Sequence, residues 1–126
     1  MHARIRVLAV ARTQILRDGL SALICFQPDV EVAGTAATAA YAVQQFLALS
    51  PEVTLMDLDL PDLSAIDAIR DILVANPAAC IVGLLTDEWD EVGRTALATG
   101  AWSCVAKDRM TDDVPGVIRR GCGRNP

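Results

Sequence analysis

Two charged residues stand where buried strands would end. Asp57 lies in Leu55-Met56-Asp57-Leu58-Asp59-Leu60-Pro61, and Lys107 lies in Val105-Ala106-Lys107-Asp108. If both strands run parallel in one sheet, a carboxylate and an ammonium converge at its carboxyl edge, where α/β sheets place their sites. On residue types alone, the pair reads equally as a site or as a satisfied ion pair. Other chemistry finds little support. Cys25, Cys80, Cys104 and Cys122 are scattered, without a CxxC spacing or a nearby histidine, so they read as free thiols rather than a zinc site. His2, the single histidine, sits at the terminus and reads as neither ligand nor base. A flavin-type phosphate cradle needs several hydroxyls or glycines after the first strand, and Ala11-Arg12-Thr13-Gln14 supplies one hydroxyl. A dehalogenase-type nucleophile on that strand is absent, because the strand ends without an Asp.

The elements that would position Asp57 and Lys107 are legible as alternating strand and helix signals. Residues 5–10, 30–35, 53–57, 81–85 and 102–106 are short apolar or β-branched runs of the kind buried on both faces. Between them, Leu16, Leu20, Leu23 and Ile24 form one helical stripe, closed by Gln27-Pro28. Thr38 is placed to cap a second helix carrying Val43, Phe46 and Leu47. Ile66, Ile69, Ile72 and Leu73 mark a third, ended by Asn76-Pro77. Val92, Ala96 and Leu97 mark a fourth, stopped by Gly100. The acidic residues around Trp89 (Asp87, Glu88, Asp90, Glu91) suit that helix's positive end. A fifth helix is weakly encoded: Thr111 is its cap, Pro115 falls in its first turn, and Gly116 and Gly121 weaken it. Repeated β-α units predict an α/β fold, a doubly wound parallel sheet with helices on both faces. Residues 4–120 form the domain, and 121–126 read as a linker or an artificial chain end.

The chain has 126 residues, enough for one domain with its own core. Hydrophobic residues make up 52% and mean hydropathy is +0.34, which excludes a disordered chain. The apolar runs are too short to cross a bilayer and no secretion signal is visible, so a cytoplasmic, membrane-free protein is expected. A net charge of −5 opposes direct nucleic-acid contact by this chain.

Ordered short motifs then identify a family. Ile5-Arg6-Val7-Leu8, Ile15-Leu16-Arg17-Asp18-Gly19-Leu20, Met56-Asp57-Leu58-Asp59-Leu60-Pro61, Ala98-Thr99-Gly100-Ala101 and Ala106-Lys107-Asp108 together resemble a response-regulator receiver domain. The flavour is that of regulators with a LuxR-type helix-turn-helix. The resemblance implies a flavodoxin-like fold with strand order 2-1-3-4-5. It implies a strand-end Asp that accepts a phosphoryl group from a histidine kinase. An acidic pair after the first strand, together with that Asp, would hold Mg²⁺. A Lys and a Ser/Thr would grip the phosphoryl group, and an aromatic residue on the fifth strand would report the change. Asp57 matches the acceptor and Lys107 the phosphate-binding Lys.

Three positions depart from that pattern. The acidic pair falls on Ala11 and Arg12. Counting back from Lys107 puts the Ser/Thr position on Leu85, with Thr86 one residue late. The aromatic position falls on Cys104. Ala11, Arg12, Asp57 and Lys107 carry a net charge of +1, where the usual quartet is doubly negative. A unit charge about 5 Å from a divalent ion is worth on the order of 6 kcal/mol at an effective dielectric of about 20. Mg²⁺ binding is therefore expected to be lost, leaving no cofactor, and Arg12 is expected either to stand in the metal's place and pair with Asp57 or to swing into solvent. Trp102, two residues before Cys104, either fills the vacated space or lies on an interaction surface.

The expectation is an atypical, non-enzymatic receiver that signals through protein contact, as a homodimer. It would control transcription through a DNA-binding domain that this chain lacks. The alternative is a receiver that still takes a phosphoryl group on Asp57 from a histidine kinase.

Overall fold

A computed structural model describes residues 3–60, 64–87 and 91–123; His2, Pro61, Glu88, Trp89, Asp90 and residues 124–126 lie outside them. The strands are β1 (Ile5–Val10), β2 (Val30–Ala36), β3 (Val53–Asp57), β4 (Cys80–Leu85) and β5 (Ser103–Ala106). They pair in parallel in the order β2-β1-β3-β4-β5, as the sequence predicts. The helices are α1 (Gln14–Cys25), α2 (Ala39–Leu49), α3 (Ala65–Ala75), α4 (Glu91–Thr99) and α5 (Met110–Gly121).

Alternation along the strands divides the core into two layers. Leu8, Val10, Met56, Ile81 and Leu85 face a cluster with Phe46 of α2, Ile69 and Ile72 of α3, and Ala96 of α4. Val7, Ala9, Leu55, Val82, Leu84 and Val105 face the other, with Leu20 and Ile24 of α1 and Val117 and Ile118 of α5. Side-chain caps set three helix starts: the Thr13, Thr38 and Ser64 hydroxyls accept from the main-chain N–H groups of Leu16, Tyr41 and Ile66. Gly100 ends α4 at φ 127°, and a Cβ there would sit 2.5 Å from Leu73 Cδ1, so glycine is required on both counts.

Some sequence expectations change. Leu47 and Leu97, placed on apolar stripes, are exposed instead. α5 runs for 12 residues, Pro115 lies in its interior, and no side chain caps it; Thr111 sits inside the helix. Tertiary contacts outweigh its poor propensity. Val114, Val117 and Ile118 are buried against the sheet. At its far end, Arg119 donates through Nε and NH2 to both Asp29 carboxylate oxygens at 2.8 Å, and through NH2 to Gln27 Oε1 at 2.7 Å. Gly121 belongs to this helix rather than to a tail.

One buried group works against the fold. Thr54, the second residue of β3, is 1% exposed and its hydroxyl has no partner among the described residues. A buried hydroxyl left unpaired costs about 1–3 kcal/mol, and an isosteric apolar replacement removes that cost. Thr54→Val should therefore raise the unfolding free energy by about 1 kcal/mol. Urea denaturation followed by far-ultraviolet circular dichroism checks this; an unchanged midpoint would contradict it.

Candidate functional site

Strand register brings the site together. Val10 pairs with Met56, so Ala11 comes level with Asp57 at the sheet's carboxyl edge. Leu85 pairs with Ala106, so Thr86 comes level with Lys107 one residue further on. The Asp57 side chain is 2% exposed, and its carboxylate is fully engaged. Oδ1 accepts from Lys107 Nζ at 2.8 Å and from the main-chain N–H of Asp59 at 3.0 Å. Oδ2 accepts from the main-chain N–H of Arg12 at 3.1 Å. A buried carboxylate needs a cation or several donors, and this one has both. Lys107 also donates to Thr86 Oγ1 at 3.1 Å, with 23% of its own side chain exposed.

The sequence expectations about this site meet mixed outcomes. Asp57 and Lys107 meet as expected. The hydroxyl that meets Lys107 is that of Thr86, the residue after the position reached by counting back along the chain. Counting along the chain from Lys107 assumes a fixed length between β4 and β5, whereas the strand register alone decides which residues stand side by side. Leu85 is buried in the α4-side core, and a Cβ on Gly93 would approach its Cδ2 to 2.8 Å. Arg12 also differs from expectation. It reaches Asp57 through its main-chain amide, while its guanidinium, half exposed, lies 3.9 Å from the Asp59 carboxylate. The Arg17 guanidinium, missed in the sequence reading, donates to the carbonyl of Ala11 at 2.8 Å and of Arg12 at 3.2 Å. It holds the turn that presents the Arg12 amide. A basic residue one turn into the first helix was the available signal.

Cys104 sits on β5 opposite Gly83, and burial pushes its thiol above the ordinary range despite a main-chain hydrogen bond from Gly83. It opens onto a groove of about 490 Å³ between α4 and α5, which Leu97, Trp102 and Ala106 also line. Trp102 precedes β5 and remains 47% exposed, with its ring against Gly121 of α5. The space beside Cys104 therefore stays open.

The residues present do not fit a divalent cation. Ala11 offers no donor side chain, and a guanidinium stands beside Asp59. Among the described residues, no group of three His, Cys, Asp or Glu side chains is placed to hold a metal ion. No described helix is long and apolar enough to cross a membrane.

A five-stranded doubly wound sheet with an Asp–Lys–Thr cluster at its carboxyl edge defines a receiver-type signalling module. The chain belongs to the response regulator receiver domain family, whose sequence model matches residues 7–119. It is 33% identical over 120 residues to the transcriptional regulatory protein MctR of Rhizobium johnstonii, covering 95% of this chain and 56% of the relative. It is 36% identical over 104 residues to a protein-glutamate methylesterase/protein-glutamine glutaminase of Thermotoga maritima, covering 82% of this chain and 30% of that one. The chain thus spans about half of the first relative and under a third of the second. Among solved structures, the response regulator domain of Thermotoga maritima CheB superposes with a TM-score of 0.88 at 28% identity, covering 98% of this chain and 99% of that one. A LuxR-family two-component response regulator from an Aurantimonas species gives 0.87 at 27%, covering 98% and 89%.

Proposed function

We propose that this chain is an atypical receiver, preset by its own charges, that signals through protein contact without Mg²⁺ or phosphorylation. The observation that carries this reading is the state of Asp57. Its carboxylate is buried, held by Lys107 and by the amides of Arg12 and Asp59, and positions 11 and 12 beside it carry no carboxylate. Phosphoryl transfer relies mainly on positioning and on neutralising charge at the transferred oxygens. At this site Asp57 would first have to leave an ion pair, and no acidic pair is present to recruit a metal. A population shift also needs contacts that differ between two states, and β5 carries Cys104 rather than an aromatic residue.

The output we assign is transcriptional, through a DNA-binding segment outside this chain. The likeness to MctR and to a LuxR-family receiver supports this. Homodimerisation is the contact we favour, because Leu97 and Trp102 leave apolar surface exposed along the α4–β5 edge. The net charge of −5 opposes direct nucleic-acid contact by the domain itself, and the cytoplasm is the compartment this role requires. The domain carries out no catalysis of its own.

A second reading has one specific observation in its favour. The Thr86 hydroxyl and Lys107 are in place to hold a phosphoryl group, so a histidine kinase could still load Asp57 slowly. Incubation with acetyl phosphate and Mg²⁺, followed by intact mass and sedimentation, separates the two. We expect neither an added phosphate nor a change in sedimentation. Phosphorylation of Asp57 with a change in oligomeric state would overturn the preset reading.

A further inference from the structure

The opposite edge of the sheet holds a feature that the Asp57 site does not use. Cys80 opens β4, and Cys122 follows the last residue of α5. Both pack against the same core layer and line the same cleft, beside Glu52 and Asn76. The approach is close: a Cβ built on Gly121, the residue before Cys122, would sit 2.6 Å from Cys80 Sγ. Adjacent Cα atoms are about 3.8 Å apart, which puts the Cys122 Cα within about 8 Å of the Cys80 sulfur. The Cys122 thiol sits at the half-buried end of the helix and donates to the Arg119 carbonyl at 3.4 Å, a single contact that a turn of its side chain toward Cys80 would break.

We propose that Cys80 and Cys122 are an oxidisable dithiol pair, a modification site where peroxide closes a disulfide between β4 and the end of α5. The Cys122 sulfur, as thiolate, attacks one peroxide oxygen and breaks the O–O bond, leaving a sulfenic acid and one water. The Cys80 sulfur then attacks the sulfenic sulfur, forming the S–S bond and expelling a second water. The two thiols lose two electrons and two protons, and the peroxide is reduced to two waters. Cys80 suits the second step. Burial, with a smaller push from the charge of Cys122, raises its thiol to about 11, which leaves the first attack to Cys122. Once Cys122 is a neutral sulfenic acid that smaller push is gone, and the Cys80 thiol gives up its proton as it attacks. Closure ties down the end of α5, which leads into the residues beyond 123. It also reaches the neighbouring surface, because the Trp102 ring carbons Cε3 and Cζ3 lie 3.5 Å from a Cβ built on Gly121.

The test treats the reduced chain with hydrogen peroxide and quenches with catalase and iodoacetamide. Intact mass should show a loss of two hydrogens without dimer formation. The thiol titre in denaturant should fall from four to two. Peptide mapping should recover a Cys80–Cys122 link, and dithiothreitol should reverse all three changes. In a Trp89→Phe background, the emission of Trp102 should shift with the same time course. A Cys25→Ser/Cys104→Ser chain should react like the wild type, and Cys122→Ser should give no intramolecular link. Peroxide consumption that yields only links to Cys25 or Cys104, intermolecular dimers, or oxygen adducts without a Cys80–Cys122 bond would overturn the proposal.

Discussion

Lys107→Met should lower the unfolding free energy by about 2–4 kcal/mol, because it strands the Asp57 carboxylate in a site that is 2% exposed. Removing one partner of a buried pair costs about 3–5 kcal/mol, and two features reduce that here. Lys107 is itself 23% exposed, and the Arg12 and Asp59 amides still donate to the orphaned oxygens. Asp57→Asn puts an amide nitrogen against one of those donors, so it also destabilises the fold, by about 1–2 kcal/mol. The combined Asp57→Asn/Lys107→Met chain should lose less than the two single losses added together. A double-mutant cycle from urea denaturation should give a coupling of about 2 kcal/mol. Additive single effects would mean that the pair is not coupled, and the preset site would lose its main support.

The sequence carried the architecture because the architecture rests on patterns that one chain displays. Apolar runs of strand length alternate with stripes at helical spacing, and all five strand segments begin and end within one residue of the observed ones. Asp57 and Lys107 were legible for the same reason, since strand ends in such sheets converge. What failed depended on properties that emerge only between elements. Thr86 looks one residue late because residues were counted along the chain, while the pairing of Leu85 with Ala106 fixes which side chains stand level. The Arg12 guanidinium was expected on Asp57, yet its backbone amide does that work and its side chain turns to Asp59. A residue's side-chain type says nothing about which of its main-chain groups will point into a site. α5 looked weak by propensity, and burial of Val114, Val117 and Ile118 together with the Arg119–Asp29 pair overrides that weakness.

These corrections sharpen the charge argument. With the Thr86 hydroxyl and the Asp57 carboxylate both on the Lys107 ammonium, the cleft keeps a hydroxyl and a cation beside the buried carboxylate. The deficit therefore concentrates at positions 11 and 12 rather than being spread around the cleft. A charge defect confined to two adjacent residues is one that two substitutions can repair, while Cys104 still leaves β5 without an aromatic residue.

Ala11→Asp/Arg12→Asp should accordingly produce the largest functional change available in this chain. The double substitution makes the local charge more negative by three units and returns two carboxylates to the edge beside Asp57. Each unit is worth on the order of 6 kcal/mol against a divalent ion at about 5 Å, before desolvation is subtracted. Saturable Mg²⁺ binding in the range of about 1 mM should appear where the wild type shows none. Acetyl phosphate should then add one phosphate to Asp57 within minutes. Stability provides an independent readout. Ala11 is fully buried, so a carboxylate placed there is costly without a cation. The metal-free variant should melt below the wild type, and Mg²⁺ at about 100 times its dissociation constant should return about 2.7 kcal/mol. The wild-type melting temperature should not respond to Mg²⁺ beyond its ionic strength. Calorimetric titration and thermal melts at matched ionic strength decide the matter. A wild type that already binds Mg²⁺ saturably, with binding lost in Asp57→Asn, would show that positions 11 and 12 are not what silences the site.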